Sequence, residues 1–214
     1  MSESDYKNFN HLKIHSQYSI CEGAIKIDDL KDTTKDLKIK TIGLCDTSNL
    51  CGAIEFSEKL SKVGTQPIIG TQINFKFEDT IGLLPLFALD ETGYKKIIEL
   101  SSKSYLDKNK DEGSEPYLNI DDLFNLDNSG ISIFSGTLFG LFGKLFDKAK
   151  FSEITKLYKT LNKSFNDRFY IEIQRHNDHN EKSFENFNLD QSNNLKIPLI
   201  ATNEVFYLTK DMHE

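Results

Sequence analysis

The chain has 214 residues, of which 38% are hydrophobic and 28% charged, and its formal net charge is −7. These values are typical of a globular protein with a substantial core, and no apolar run is long enough to cross a bilayer. An acidic balance argues against a domain that holds nucleic acid unaided, because the phosphate backbone is usually bound by a basic surface. We therefore expect little direct DNA binding, no membrane partner and, without a basic and apolar leader, a cytoplasmic location.

Short apolar runs alternate with helical periodicity along most of the chain. Such alternation favours parallel strand pairing and an α/β fold, either barrel-like or doubly wound. Helical patterns lie around residues 27–37, 53–60, 92–105, 138–148, 152–162 and 180–194. We predict seven strands, near residues 9–14, 41–46, 67–77, 82–89, 131–135, 168–174 and 197–202. The polar run 107–116 is expected to be a surface loop, and no linker divides the chain.

Polar side chains follow the predicted strands, at the edge where α/β barrels place their sites. These residues are His15, Asp46, Gln72, Thr137, His176 and Glu204. The first strand is the most suggestive, because His11, Lys13 and His15 share one of its faces. Two histidines with Glu22 nearby could hold a divalent cation, but the lysine between them opposes one. The pattern therefore resembles a metal site that has lost its function.

The other candidate residues have structural interpretations that require no catalysis or metal binding. His176 and His179 are spaced for metal capture on a helix, although exposed histidines at a helix start fit the pattern better. Cys45 or Cys51 could form a nucleophile pair with His15, but a structural cysteine is favoured because nothing nearby lowers a thiol pKa. Glu172 is interpreted as a buried, hydrogen-bonded acid.

Several motifs, in order and at matching intervals, resemble one family. They include His11-Leu-Lys-Ile-His-Ser-Gln-Tyr-Ser19, Asp46-Thr-Ser-Asn-Leu-Cys-Gly-Ala53, Phe169-Tyr-Ile-Glu-Ile173 and Asp211-Met-His-Glu214. Over essentially its whole length, the chain resembles the PHP (polymerase and histidinol phosphatase) domain at the N-terminus of bacterial DNA polymerase III alpha subunits. This resemblance implies a distorted seven-stranded (β/α)7 barrel, which in active members holds several metal ions at the strand C-termini.

Compared position by position, the sequence departs from the family's metal ligands more often than it keeps them. The residues that replace a ligand are Lys13, Thr47, Gln72, Leu83, Thr137 and Phe206. Only His15, Glu22 and Glu204 keep a competent side chain at positions where the resemblance implies a ligand. We therefore expect no metal or other cofactor in this segment. We also expect the Lys13 ammonium to lie near Glu22, Asp46 or Glu204, offsetting their charge.

The resemblance implies that residues 1–214 are a single PHP-like domain, an N-terminal fragment of a longer polymerase chain without its palm, fingers and thumb. The parent chain would be a DNA-directed DNA polymerase, a nucleotidyltransferase that uses Mg²⁺. The segment itself would be a catalytically inactive scaffold for the rest of the alpha chain, the 3′–5′ proofreading exonuclease and other replicase subunits.

The alternative is a metal-dependent phosphoesterase or 3′–5′ exonuclease with a reduced metal site. In that reading one Zn²⁺ or Mn²⁺ ion is held by what remains of the ligand set, namely His15, Glu22, Asp46, His176 and Glu204. Lys13, Leu83 and Phe206 favour the scaffold, because none of these side chains can bind a cation in place of a lost ligand.

Overall fold

The computed structural model describes residues 9–106, 115–125 and 127–213. Their contacts divide the chain into two compact units. Unit 1 consists of the chain up to Thr71 together with the chain from Asn203 onward, and unit 2 is Gln72–Thr202. Residues 107–114 of the expected surface loop lie outside the described residues. The single-domain organisation inferred from the sequence stays a prediction.

The strands of the described residues are β1 (Lys13–Ile14), β2 (Thr41–Thr47), β3 (Gln66–Phe77), β4 (Thr80–Ala88), β5 (Leu118–Asn119), β6 (Ile131–Phe134), β7 (Phe169–Ile173), β8 (Leu199–Ala201) and β9 (Glu204–Val205). The helices are α1 (Ile27–Asp36), α2 (Ala53–Lys62), α3 (Glu91–Leu106), α4 (Ile120–Phe124), α5 (Leu141–Asp147), α6 (Phe151–Phe165) and α7 (Glu181–Leu195). Short 3₁₀ helices lie at Asn166–Arg168 and Lys210–His213. Within the described ranges, no helix is both long and apolar enough to cross a membrane.

Unit 1 is built on a parallel sheet whose central strand is β1. This strand pairs with β2 on one side, where Ile14 lies opposite Leu44, and with β9 on the other, where Lys13 lies opposite Glu204. The helices cover the sheet with apolar stripes at helical spacing, such as Ala53, Phe56 and Leu60 of α2. The buried core they form with the strands is Ile14, Ile25, Ile27, Leu30, Ile42, Leu44, Phe56 and Leu60.

Unit 2 contains a mixed sheet in the order β8–β7–β6–β4–β3, with β5 paired to β3. The pairs β6–β7 and β7–β8 are parallel, whereas β4 and β6 are antiparallel. A two-residue connection between β3 and β4 reverses the chain direction, as tight hairpins do. The longest apolar stripe, on α6, buries Ile154, Leu157, Tyr158, Leu161 and Phe165.

The α/β class and a strand at each of the seven predicted places are confirmed, although the first strand contains only Lys13–Ile14 of the predicted 9–14. The count of seven is wrong for the described residues, which contain nine strands. The two additional strands, β5 and β9, are two residues long and are defined by their partners, so they carry no alternating pattern of their own. The expectation of parallel pairing fails at β4 because of the tight connection before it.

Candidate functional site

In unit 1, the carboxylate of Asp46 fastens the turn after β1 to the end of β2. Asp46 is fully buried. Its Oδ1 accepts hydrogen bonds from the Ser16 backbone N–H at 2.6 Å and from the Ser19 hydroxyl at 2.8 Å. Its Oδ2 accepts one from the Ser16 hydroxyl at 2.8 Å. Three donors therefore compensate a charge that would otherwise be costly to bury.

Ser19 and Thr47 connect this carboxylate to the other polar groups of the turn. The Ser19 hydroxyl oxygen accepts the Thr47 backbone N–H at 3.0 Å and lies 3.4 Å from Nδ1 of His15. The Thr47 hydroxyl donates to Oε2 of Glu22 at 2.6 Å. Thr47, expected from the resemblance to replace a metal ligand, therefore binds Glu22, an acid at another expected ligand position.

Lys13 and Glu204 form an ion pair across strands β1 and β9. The Lys13 side chain is fully buried, and its Nζ lies 2.6 Å from Oε1 of Glu204. Burial acts to raise the pKa of Glu204, but contact with His15 and the charge of Lys13 outweigh it and lower this pKa to about 2. The carboxylate is thus ionised at neutral pH. The expected contact between the Lys13 ammonium and one of the site acids is confirmed.

His15 lies beside the same carboxylate but is held by an aromatic ring. It is fully buried, and its ring stacks on Phe206 with centroids 4.4 Å apart. Its Nε2 is 3.9 Å from Oε1 of Glu204, and its Nδ1 is 3.9 Å from Oε2 of Glu22. Unit 1 therefore brings together the predicted positions Lys13, His15, Glu22, Asp46, Thr47, Glu204 and Phe206.

The donor set of this cluster does not suit a metal ion. A cation bound to Glu204 would face an ammonium group that already contacts the same oxygen, and both oxygens of Asp46 are engaged by hydrogen-bond donors. Phe206 presents a hydrocarbon ring where a ligand would be needed. Across residues 9–106, 115–125 and 127–213, no three or more His, Cys, Asp or Glu side chains are grouped so as to hold a metal.

Unit 2 holds the remaining predicted positions. Thr137 and His176 line an open cleft together with Glu172. Thr137 accepts a hydrogen bond from the Phe139 backbone N–H at 3.2 Å, which orders the turn after β6. Gln72 is buried in β3 and Leu83 lies in β4, half-buried.

The remaining candidate residues differ in burial. His176 and His179 are exposed and precede α7, so they do not share a helical face. Cys45 is buried in β2, and Cys51 is exposed. The interpretation of Glu172 as a buried, hydrogen-bonded acid is confirmed. Its Oε1 accepts hydrogen bonds from the Thr202 hydroxyl and from the Gln174 side-chain amide.

Comparison with known proteins identifies the family. The sequence model of the PHP domain matches residues 11–176. The chain belongs to the PHP domain family. It is 32% identical to the DNA polymerase III subunit alpha of Caulobacter vibrioides, over 97% of this chain and 18% of that protein. It is 34% identical to the subunit of the same name in Rickettsia conorii, over 96% of this chain and 17% of that protein.

The chain therefore spans less than a fifth of the length of these relatives. Among solved structures, it resembles an amidohydrolase from Chromobacterium violaceum with bound sulfate and no metal, with a TM-score of 0.55 and 11% identity. The similarity covers 92% of this chain and 87% of that one. At this identity the likeness shows the fold alone.

Two residues that organise this PHP domain were not singled out from the sequence as partners of its acids. Ser19 bonds Asp46 from 27 positions away, and Thr202 bonds Glu172 from 30 positions away. Serine and threonine are frequent throughout the sequence, so a separation of 27 or 30 positions carries no signal. Only the packing of the strand ends makes these two residues partners of the carboxylates. An acid inside an apolar strand run, as Glu172 is within Phe169–Ile173, is the signal that could have prompted a search for hydroxyl donors.

Proposed function

We propose that this PHP domain is the catalytically silent N-terminal domain of a bacterial DNA polymerase III alpha subunit. The observation that carries the proposal is the identity of 32–34% with alpha subunits over 96–97% of the chain. The parent chain would be a DNA-directed DNA polymerase whose Mg²⁺-dependent nucleotidyl transfer takes place in its other domains. The domain would have the distorted barrel of its family and act in the cytoplasm.

Loss of metal chemistry in the domain is supported by the unit 1 cluster. Phosphoester hydrolysis in metalloenzymes depends on metal-activated water and on cations that neutralise the developing charge. In this chain the Glu204 carboxylate is paired with Lys13, and the Glu22 carboxylate accepts the Thr47 hydroxyl. Neither arrangement recruits a cation, so the cluster serves the structure of the domain.

The role left for such a domain is that of a scaffold. We propose that it contacts the remainder of the alpha chain and docks the 3′–5′ proofreading exonuclease and other replicase subunits. The net charge of −7 supports protein partners over DNA, since a surface that binds the phosphate backbone is generally basic. Direct binding of DNA by this segment would therefore be weak.

The competing function is a metal-dependent phosphoesterase or 3′–5′ exonuclease that retains one Zn²⁺ or Mn²⁺ ion. The observation in its favour is that His15 lies 3.9 Å from carboxylate oxygens of both Glu22 and Glu204. A small rearrangement that displaced Lys13 would bring an imidazole and a carboxylate to one cation. This geometry makes His15 the residue on which the test depends.

The two functions are separated by metal content and hydrolysis. The purified 214-residue chain is assayed with Mn²⁺, Zn²⁺ and Co²⁺ on single-stranded DNA and on a chromogenic phosphoester, alongside elemental analysis. We expect no stoichiometric metal and no turnover, and we expect the chain to co-elute with the exonuclease subunit of the same replicase. Stoichiometric metal, with hydrolysis abolished by His15→Ala, would establish the enzyme and overturn the scaffold.

A further inference from the structure

The segment from Asn203 to His213 brings the chain back to unit 1 and adds strand β9 beside β1. Besides the pairing of β9 with β1, backbone hydrogen bonds on either side of it join this segment to unit 1. The His15 N–H donates to the Val205 carbonyl at 2.9 Å, and the Ala24 N–H donates to the Phe206 carbonyl at 2.8 Å. A two-residue strand has little stability of its own. Side-chain contacts must therefore contribute to its attachment.

The strongest of these side-chain contacts is the ion pair between Lys13 and Glu204. The two residues are direct partners in the register of β1 and β9, so their side chains leave adjacent strands side by side. The Lys13 side chain is fully buried, whereas that of Glu204 keeps 20% of its exposure. A buried ammonium is tolerated only with a close counter-charge, and the 2.6 Å contact supplies one.

The same carboxylate oxygen is shared with the buried ring of His15, which in turn stacks on Phe206. The ion pair and the ring stacking thus both join β1 and the turn after it to the segment Asn203–His213. In a metal-binding cluster, an ion would provide the positive charge that holds such acids together. Here that charge belongs to the protein.

We propose that the Lys13 ammonium is the built-in cation of unit 1, and that its pair with Glu204 fastens the segment Asn203–His213 to β1 without any metal. The inference rests on the proposed function, because it explains how a metal-free PHP domain keeps its strand ends in place. It goes further by assigning the ion's structural role to one residue and by naming the segment that depends on it.

A double-mutant cycle tests the pair in the whole 214-residue chain. Lys13→Met and Glu204→Gln should each lower the Tm by about 10 °C, because each removes one charge of a pair that is largely shielded from solvent. The double variant should lose at least about 4 °C less than the sum of the two, since the interaction is removed only once. The exposed pair Lys95–Glu91 is the matched control. Its variants should each change the Tm by less than about 2 °C and should be additive.

Amide hydrogen exchange tests the location of the effect. In Glu204→Gln, the His15 and Ala24 amides should exchange at least about tenfold faster, because they bond to Val205 and Phe206 of the returning segment. The Ile171 amide, which bonds to the Pro198 carbonyl in unit 2, should keep its wild-type rate. If Lys13→Met does not fold, the exchange rates of Glu204→Gln and the Tm of Lys13→Arg still test the inference. Lys13→Arg keeps the positive charge and should keep most of the wild-type Tm.

The metal arm uses Lys13→His, which replaces the ammonium by an imidazole beside His15 and Glu204. Added Zn²⁺ should raise the Tm of this variant by about 5 °C and leave the wild-type Tm unchanged. Additive losses in the cycle, unchanged exchange at both amides, or an equal effect of Zn²⁺ on the wild type would each overturn the inference. Failure here would leave the alpha-subunit assignment intact, because that assignment is tested by exonuclease binding and hydrolysis of the wild-type chain.

Discussion

Two largely buried acids at strand ends, Glu204 in unit 1 and Glu172 in unit 2, are stabilised in different ways. In unit 1, Glu204 is paired with a fully buried lysine, so one full charge is balanced by another. In unit 2, Glu172 accepts hydrogen bonds from the neutral side chains of Thr202 and Gln174. A charge pair is sensitive to the loss of either partner, whereas neutral donors can rearrange around a neutral substitute. We therefore expect Glu204 to tolerate a neutral substitute less well than Glu172.

The largest effect is expected at Asp46, whose carboxylate accepts three hydrogen bonds in the interior of unit 1. Asp46→Ala should reduce the free energy of unfolding by about 3 to 5 kcal/mol, because it leaves the Ser16 N–H and two hydroxyls without acceptors. Urea denaturation measures the loss, and the exposed Asp32 offers a control, with a loss for Asp32→Ala of under about 0.5 kcal/mol. A loss of under about 1 kcal/mol at Asp46 would mean that the turn does not depend on this carboxylate.

The second prediction compares the two units with the same substitution. Glu204→Gln should cost about 3 kcal/mol, because the buried Lys13 ammonium would then face a neutral amide. Glu172→Gln should cost about 1 kcal/mol, because the new amide oxygen can still accept the Thr202 hydroxyl. Both values come from urea denaturation at the same pH. Equal losses of unfolding free energy for the two variants would contradict the proposed difference between Glu204 and Glu172.

A smaller effect is expected within the neutral network of unit 2. The buried Tyr158 hydroxyl donates to Oδ1 of Asn188 at 3.0 Å. Tyr158→Phe keeps the ring packing and removes this bond, so the free energy of unfolding should fall by about 1 kcal/mol. Burial also raises the pKa of Tyr158, so the phenol should remain protonated at an alkaline pH where exposed tyrosines ionise. An ultraviolet titration in which every tyrosine ionises together, while the chain stays folded, would contradict this.

The smallest effect is expected for the ion pair between the largely buried Lys96 and the exposed Asp127. Hydrogen bonds from Lys96 and Ser129 lower the pKa of Asp127 to about 2, from an ordinary value of 3.8. A lowered carboxyl pKa contributes stability above the unfolded value, and this contribution disappears as the pH falls from about 4 towards 2. The side chain of Asp127 is 77% exposed, so solvent screens the pair and its contribution is small. A carboxyl titration by NMR with a midpoint near 4 would contradict the pairing.

Much of the fold could be predicted because it depends on local patterns. The apolar stripes of α1, α2 and α6 recur at helical spacing, and each of the seven predicted strands is a short apolar run. The substitutions at Lys13, Thr47 and Phe206 were also visible as departures from a motif. The resemblance to PHP domains, with a lysine at the place of a metal ligand, predicted an ion pair, although three acids remained possible partners.

The tertiary structure decided which groups meet. Lys13 contacts Glu204 because β9, a strand too short to carry a pattern, pairs with β1 in a register that places them opposite each other. Ser19 and Thr202 become partners of buried acids in the same way, across 27 and 30 positions. The physical reason is that periodicity reports the local environment of each segment, whereas strand register and side-chain partners depend on contacts between distant segments. The sequence by itself therefore determined the family and the class of fold, and the packing determined how the charges of Lys13, Glu204 and the other site residues are balanced.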